Sequence, residues 1–452
     1  MTQKNGLQPL YYLRNSISHI SNYKSQIMKR RKFLKITSVG SAALASSFYI
    51  PSINQERKLK IGLIGAGWYG MVITKAALKI GGVEFIGICD VDSDHLKNSA
   101  DELEKLQGTR PKTFKYYQDL LDMKELEAVF IGTIPHWHAL QFIAACAKGL
   151  DIYCEKPLSY DVTEGLAMVK AANKAGNIVQ LGFQRRQSKA FQKAKELIES
   201  DKIGTVHQIV AQIHYNPNPQ DTAIQPPPAS LDWEEWCGPA PKLDYRPSIG
   251  HMSWRLEKEY GNGHLVDWGI HHIDIIRKIM GEEMPEEFVT RGGIYVLKDK
   301  ITSPDTLTAN MAFRKAPVTW QHRLWGNGDV TSEFNNGIFF YGDKGTLFAD
   351  DSKVVTFPMG KNTQREDLSI PTELMQENHV GNFLTAVRNK DKKLISCTPE
   401  DAFKSTATVQ LAMISYNTGS VVKWDQQKKE IIGNPEASKL LKRDYRGKYV
   451  HP

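Results

Sequence analysis

The stretch Lys60-Ile-Gly-Leu-Ile-Gly-Ala-Gly-Trp-Tyr-Gly70 decides how the rest of the chain is read. A short apolar run, Ile61 to Ile64, leads into Gly65, Gly67 and Gly70, and a helical pattern follows. G-x-G-x-x-G between a strand and a helix is the arrangement that holds a dinucleotide pyrophosphate. Gly65 permits the tight turn, Gly67 lets backbone approach the phosphates, and Gly70 lets the helix pack close on the strand. The helix start, at Trp68 and Tyr69, presents unpaired N–H groups and the positive end of the helix dipole. A second strand-like run, Val83-Glu-Phe-Ile-Gly-Ile-Cys-Asp90, ends in an acid 20 residues after Gly70, where a ribose-binding carboxylate belongs. Asp90 repels a 2′-phosphate, so NAD is expected rather than NADP.

Outward from this turn the pattern alternates in strand–helix units. Strands are expected at Ile61–Ile64, Val83–Cys89, Ala128–Ile131, Ile152–Cys154 and Ile178–Leu181, with helices between them. Strands this apolar on both faces fit a parallel sheet covered on both sides, over residues 59–182. The second half reads as α+β, over residues 183–425. A helix at Ser188–Glu199 and an alternating run at Thr205–Tyr215 precede an irregular stretch rich in Pro and Trp. One continuous helix is expected over Leu265–Met280, then several strands, then helices at Leu374–Asn389 and Pro399–Tyr416. The expected architecture is a mostly antiparallel sheet with one face covered by these helices and the other open, a face that pairs readily with a second copy of the chain. A homodimer or homotetramer is expected, the sequence itself giving no subunit number. The tail, Gln426–Pro452, is of mixed charge and is expected to lie over the surface.

The net charge of +8 is not a nucleic-acid signature. Up to Ala45 the chain carries eight Lys and Arg and no acid; without them the body is neutral. Arg30-Arg31-Lys32-Phe33-Leu34-Lys35 before a mildly apolar run with Ala43-Leu44-Ala45 reads as a twin-arginine export signal. Residues 1–50 are assigned to that signal and an extension, Met28 being an alternative start. The run is too short and too polar for a membrane span. The twin-arginine translocation machinery is then a partner, and the location is periplasmic or otherwise outside the cytoplasm. That machinery moves folded proteins, so a cofactor loaded in the cytoplasm has to stay bound. Five scattered cysteines, with no C-x-x-C, indicate neither a disulfide framework nor a zinc site.

Two further stretches carry chemistry. Glu155-Lys156-Pro157 follows a strand directly, and ligands of open parallel sheets sit beyond such strand ends. Gly261-Asn-Gly-His-Leu-Val-Asp267-Trp-Gly-Ile-His271-His272-Ile-Asp274 puts Asp267, His271 and Asp274 on one helix stripe. A carboxylate beside an imidazole suits proton transfer near neutral pH. A metal is not expected, because no second cluster supplies further ligands. Before that helix Trp254, and within it Trp268, suit stacking on sugar faces, and Arg255 suits binding of hydroxyls.

In order and spacing the sequence resembles the Gfo/Idh/MocA oxidoreductases, the glucose–fructose oxidoreductase and inositol dehydrogenase family. The resemblance rests on Gly65-Ala-Gly-Trp-Tyr-Gly70, Asp90, Thr133-Ile-Pro-His-Trp-His138, Glu155-Lys156-Pro157, Gly182-Phe-Gln-Arg-Arg186 and Asp267 through Asp274. It implies a Rossmann domain followed by an open-faced sheet domain. It implies that Lys156, Asp267 and His271 surround a reacting sugar carbon, with His271 as base, Asp267 orienting it and Lys156 polarising the oxygen; the His and Lys roles are open to exchange. Thr133, Pro135, His138, Glu155 and Arg185 are then expected along the cofactor, and Arg186, Trp254, Arg255, Trp268 and Asp274 against substrate. The implied reaction is hydride transfer from a carbohydrate hydroxyl carbon to tightly held NAD. An alternative in the same superfamily is an NAD-dependent glycosidase that oxidises transiently and eliminates the aglycone; its Tyr-Pro-Thr-His motif is replaced here by His264-Leu-Val-Asp-Trp-Gly-Ile-His271. A nucleotide-binding protein without turnover is a third reading.

Overall fold

The computed structural model describes residues 57–452 except 218, 251 and 362. The twin-arginine stretch, residues 1–50, lies outside the described residues.

The first half is a doubly wound parallel sheet. Its strands are β1 (Leu59–Ile64), β2 (Val83–Cys89), β3 (Lys112–Phe114), β4 (Ala128–Ile131), β5 (Asp151–Glu155) and β6 (Val179–Gly182), in the order β3-β2-β1-β4-β5-β6. Helices α1 (Trp68–Ile80), α2 (Ser93–Gln107), α3 (Tyr117–Leu121), α4 (Pro135–Ala147) and α5 (Val162–Ala175) connect them. The sheet reverses its winding between β1 and β4, so the strand ends there open a crevice. All four residues of β4 are buried, as a strand covered on both faces requires. Helix α5 starts in a reciprocal capping box between Asp161 and Glu164 and stops at left-handed Gly176.

The second half builds a ten-stranded sheet. After α6 (Lys189–Glu199) come β7 (Val206–Ile213), a short α7 (Trp233–Cys237) and α8 (Ile270–Met280). Strands β8 (Glu287–Gly293), β9 (Thr306–Met311), β10 (Val318–Arg323), β11 (Asn336–Gly342), β12 (Gly345–Ala349), β13 (Lys353–Pro358) and β14 (Glu366–Ser369) follow. Helices α9 (Met375–Asn389) and α10 (Pro399–Thr418), strands β15 (Val422–Asp425) and β16 (Glu430–Ile431), and α11 (Pro435–Lys439) complete it. The order is β14-β13-β12-β11-β7-β10-β9-β8-β15-β16, antiparallel except for the pair β7/β10. β9 alternates buried and solvated residues, the mark of a sheet with one covered face.

Two expectations are corrected. The single helix over Leu265–Met280 is two: a π-helical turn over Leu265–Gly269, then α8. A π turn carries an extra residue and rotates everything before it relative to everything after it. Helix α9 does not cover the second sheet. It lies on the Rossmann sheet, where Phe383 meets Phe130 and Tyr153 with ring centroids 5.8 Å from each. The tail lies over the surface and is fastened there. Residues 443–452 bond to α5 and to the segment around α7, and two of them line the principal cleft. Among the described residues no helix is long and apolar enough to cross a membrane, and the five cysteines are buried free thiols.

Candidate active site

The cleft begins at the glycine turn. Gly65 has φ +88°, and a Cβ there would lie 2.8 Å from the backbone of Gly132 and Thr133. A Cβ on Gly70 would lie 1.8 Å from the Gly65 carbonyl oxygen, so only glycine lets α1 approach β1 this closely. At Gly67 a Cβ would meet only the His95 ring, at 3.5 Å, because that side faces the cleft. Among the described residues no side chain caps α1, and its first turn holds no acid. Its N–H groups and dipole are left to an anion. Asp90 is fixed beside this turn, accepting from the Ala66 N–H at 2.8 Å and the Asp92 N–H at 2.9 Å. Trp68, Tyr69, Thr133 and Ile134 lie along the cleft. An uncapped helix start, a glycine cradle and an acid at the end of β2 fit a dinucleotide.

Pro135 and His138 do not line this cleft. Pro135 is the buried first residue of α4. Both ring nitrogens of His138 are engaged, with the Thr133 carbonyl at 3.0 Å and the Pro157 carbonyl at 2.8 Å. His138 therefore ties the β4 turn to the β5 turn from behind, which corrects its expected contact with cofactor.

At the end of β5, Lys156 donates from Nζ to the Asp267 carboxylate at 2.8 Å and to the Asp267 carbonyl at 2.6 Å. The other carboxylate oxygen takes the Arg255 Nε at 3.1 Å, and the Arg255 guanidinium lies 4.3 Å over the Trp254 ring. Burial alone raises the Asp267 carboxyl, but Lys156 and Arg255 outweigh it and hold it below the usual range. Trp254 and Arg255 also line the dinucleotide cleft, so this cluster adjoins it.

His271 is buried, and its Nδ1 has no partner among the described residues. Burial first, and then the charges of Lys156 and Arg185, hold the imidazole well below its ordinary pKa. It is a neutral ring with one unpartnered nitrogen, and burial and the neighbouring cations oppose its protonation. The expectation that Asp267 orients His271 is corrected: both Asp267 oxygens belong to Lys156 and Arg255. Asp267 lies in a π turn before the helix of His271, which removes the helical register on which that expectation stood.

Arg185 pairs with Asp351 at 3.1 Å and with His272 at 3.0 Å, its guanidinium 5.3 Å over Trp268. Trp268 is thus braced from behind. Arg186 and Asp274 leave the substrate site altogether. Arg186 Nε donates to one Asp274 oxygen at 2.7 Å, the other accepts from Ser405 at 2.8 Å, and Arg186 Nη1 reaches Asp401 at 2.7 Å. This buried network joins the turn after β6 to α8 and α10, and it corrects the expectation of substrate contact. Asp274→Ala leaves the Arg186 charge with Asp401 alone, and a loss of about 3–5 kcal/mol in denaturant unfolding is expected. An unchanged midpoint and slope would show the network to be dispensable.

Glu155 lies beneath Lys156. One carboxylate oxygen accepts the Lys156 N–H at 3.2 Å and the other has no partner among the described residues. Burial pushes its carboxyl up to about 8, from an ordinary value of 4.5. Between those values the folded chain keeps a proton that the unfolded chain releases, so its contribution to stability falls as pH rises through that window. Glu155→Gln is expected to flatten the fall in melting temperature between pH 5 and pH 8, measured by calorimetry. An identical slope in the two proteins would place the titration elsewhere.

The sequence reading missed Tyr215, just beyond β7. Its ring lies 5.0 Å from His264, and burial and then the Asp267 charge push its hydroxyl pKa up. Its signal was only a tyrosine at the end of an alternating strand. Trp137, Lys448 and Tyr449, which line the cleft, carried no signal.

The turn, the acid of β2 and the lysine–carboxylate pair define a two-domain oxidoreductase that binds a nicotinamide dinucleotide. The chain belongs to the Gfo/Idh/MocA oxidoreductase family. Residues 59–183 match its NAD-binding Rossmann fold and residues 214–451 its C-terminal alpha/beta domain. It is 27% identical over 305 residues to the myo-inositol 2-dehydrogenase of Thermotoga maritima, a match covering 66% of this chain and 77% of that one. Among solved structures it resembles levoglucosan dehydrogenase in complex with NADH and levoglucosan, with TM-score 0.64, 17% identity and 81% of this chain against 99% of that one. The aldose-aldose oxidoreductase of Caulobacter crescentus, complexed with glycerol, gives 0.63, 17%, 81% and 100%. These two likenesses are of fold.

Proposed function

We propose that this chain is an exported, NAD-dependent oxidoreductase that oxidises a carbohydrate CH–OH group and keeps its cofactor between turnovers. The observation that carries the reading is the 2.8 Å contact of Lys156 with Asp267, whose other oxygen is held by the cleft residue Arg255, near an imidazole with one unpartnered nitrogen. The named substrates of the relatives, inositol, levoglucosan and aldoses, support the class.

NAD, when bound, accepts the hydride that the hydroxyl-bearing carbon gives up. The neutral His271 takes the hydroxyl proton as the C–O bond acquires carbonyl character. Lys156 sits against that oxygen and stabilises the charge that develops on it. Asp267 holds Lys156 by both its carboxylate and its carbonyl, which fixes the ammonium without moving the proton. Trp254 and Arg255 supply a flat face and a donor for the sugar ring. Asp90 favours NAD over NADP by repelling a 2′-phosphate. The twin-arginine stretch supports export, and outside the cytoplasm no free nucleotide pool is available. A second carbonyl substrate then takes the hydride back. The open face of the second sheet supports a homodimer or homotetramer.

The test is to denature the purified protein, identify the released nucleotide by mass spectrometry, and offer the intact enzyme sugars, polyols and aryl glycosides. A keto-sugar product with bound NAD supports the reading. Aglycone release without net NADH would replace it by oxidation and elimination, and bound nucleotide with no product would replace it by a binding protein.

A further inference from the structure

Part of the wall of the cleft on its adenosine side comes from outside the Rossmann half. Glu235 and Trp236 of α7 and Lys448 and Tyr449 of the C-terminal segment contribute to it. Tyr449 sets its ring edge against Trp137 at 5.3 Å, and Trp137 meets Tyr117 at 6.0 Å. Tyr117 and Asp90 line the same side of the cleft, beyond the ends of β2 and β3, where the adenosine of a dinucleotide lies.

The segment that carries Lys448 and Tyr449 is fastened at both ends and in the middle. At its start the Arg443 N–H donates to Asp161 at 3.1 Å and the guanidinium stacks 3.6 Å over Tyr160. Tyr445 donates to Glu164 at 2.8 Å. In the middle Arg446 reaches the carbonyls of Ala240, Gly238 and Glu234 at 3.0, 3.0 and 3.1 Å and pairs with the Glu234 carboxylate. Lys448 and Tyr449 hold the two oxygens of Glu235 at 2.9 and 3.0 Å. At its end His451 meets Asp161 at 2.9 Å, each side chain only 5% exposed. The segment therefore spans from the capping box of α5, across the α7 wall, and back to the same carboxylate.

We propose that Arg443–Pro452 is a latch over the adenosine half of the dinucleotide site and sets the rate at which the cofactor leaves. The proposal rests on the dinucleotide reading given above. With the segment in place, Tyr449 and Trp236 hold their rings over the site. Withdrawing it breaks the Glu235 contacts and removes two wall residues at once. Differences in affinity at one site appear chiefly in dissociation, so a latch of this kind acts on release. It gives a cofactor that survives export a structural basis within this chain.

The experiment uses the full chain loaded with NAD and freed of excess, chased with the fluorescent ethenoadenine analogue of NAD. The double variant Arg446→Ala/His451→Ala removes two fastenings that do not line the cleft, and a chain ending at Lys442 removes the latch. Exchange at least about tenfold faster in both is expected, while turnover with saturating added NAD in the double variant stays within about threefold of the parent. Exchange as slow as in the parent, in the double variant with an unaltered circular-dichroism spectrum, would overturn the latch even if the shortened chain fails to fold. A parent protein that neither contains nor takes up NAD or its analogue would instead overturn the dinucleotide reading.

Discussion

Lys156→Met lowers kcat by about 10³-fold, within the range for loss of a positioned group in proton and charge transfer, and leaves the fold in place. The reason is geometric. Lys156 touches Asp267 by its ammonium, Asp267 also holds the cleft residue Arg255, and the Lys156 charge is felt by the imidazole of His271. Methionine keeps the length of the side chain and removes the charge. Asp267 is not orphaned, because Arg255 remains 3.1 Å from its other oxygen, so the melting temperature stays within a few degrees of the parent. Lys156→Arg does not restore the rate, since a planar fork cannot reproduce the two convergent bonds to one residue made by a compact ammonium. Steady-state kinetics with the best sugar from the panel, beside calorimetry, decides this. A Lys156→Met enzyme with kcat within about threefold of the parent would remove the lysine from the chemistry.

Gly70→Ala is expected to abolish cofactor binding and to destabilise the protein by about 2–3 kcal/mol, the cost of forcing a methyl group into a packed contact. The added carbon falls 1.8 Å from the Gly65 oxygen. Gly65 cannot yield, because its own φ of +88° and its approach to Gly132 and Thr133 are fixed by the turn. The start of α1 must swing away, taking the phosphate-facing N–H groups with it. Gly67→Ala is the control. Its Cβ finds only His95 at 3.5 Å, so the apo-protein melts as before, while affinity for NAD measured by titration calorimetry falls because the methyl group occupies the approach of the phosphates. Equal NAD affinity in Gly70→Ala and the parent would show that the glycine turn is not the phosphate site.

Much of the fold was legible because its signals are local. Alternating apolar strands and helices, a glycine turn and an acid at the next strand end each depend on residues within about one helix of one another. Helix α9 was read nearly to its ends but placed in the wrong layer, since an amphipathic helix shows that it has a buried face and not which sheet it buries. The site was legible in its residue types and not in its pairings. Lys156 and Asp267 were both singled out, yet the partner assigned to Asp267 was His271, four positions away, in place of Lys156, 111 positions away. Asp274 was placed on the same stripe, and the structure spends it on Arg186.

By itself the sequence determined the order of the strands and helices in each half, the phosphate turn, and the lysine, carboxylate and imidazole available for chemistry, because steric and hydrophobic patterns of a few residues specify these. Only the tertiary structure decided which charges face one another, that Asp267 lies in a π turn before the helix of His271, and that Lys448 and Tyr449 of the C-terminal segment line the dinucleotide cleft. Such contacts depend on the path of the whole chain, and no local periodicity encodes them.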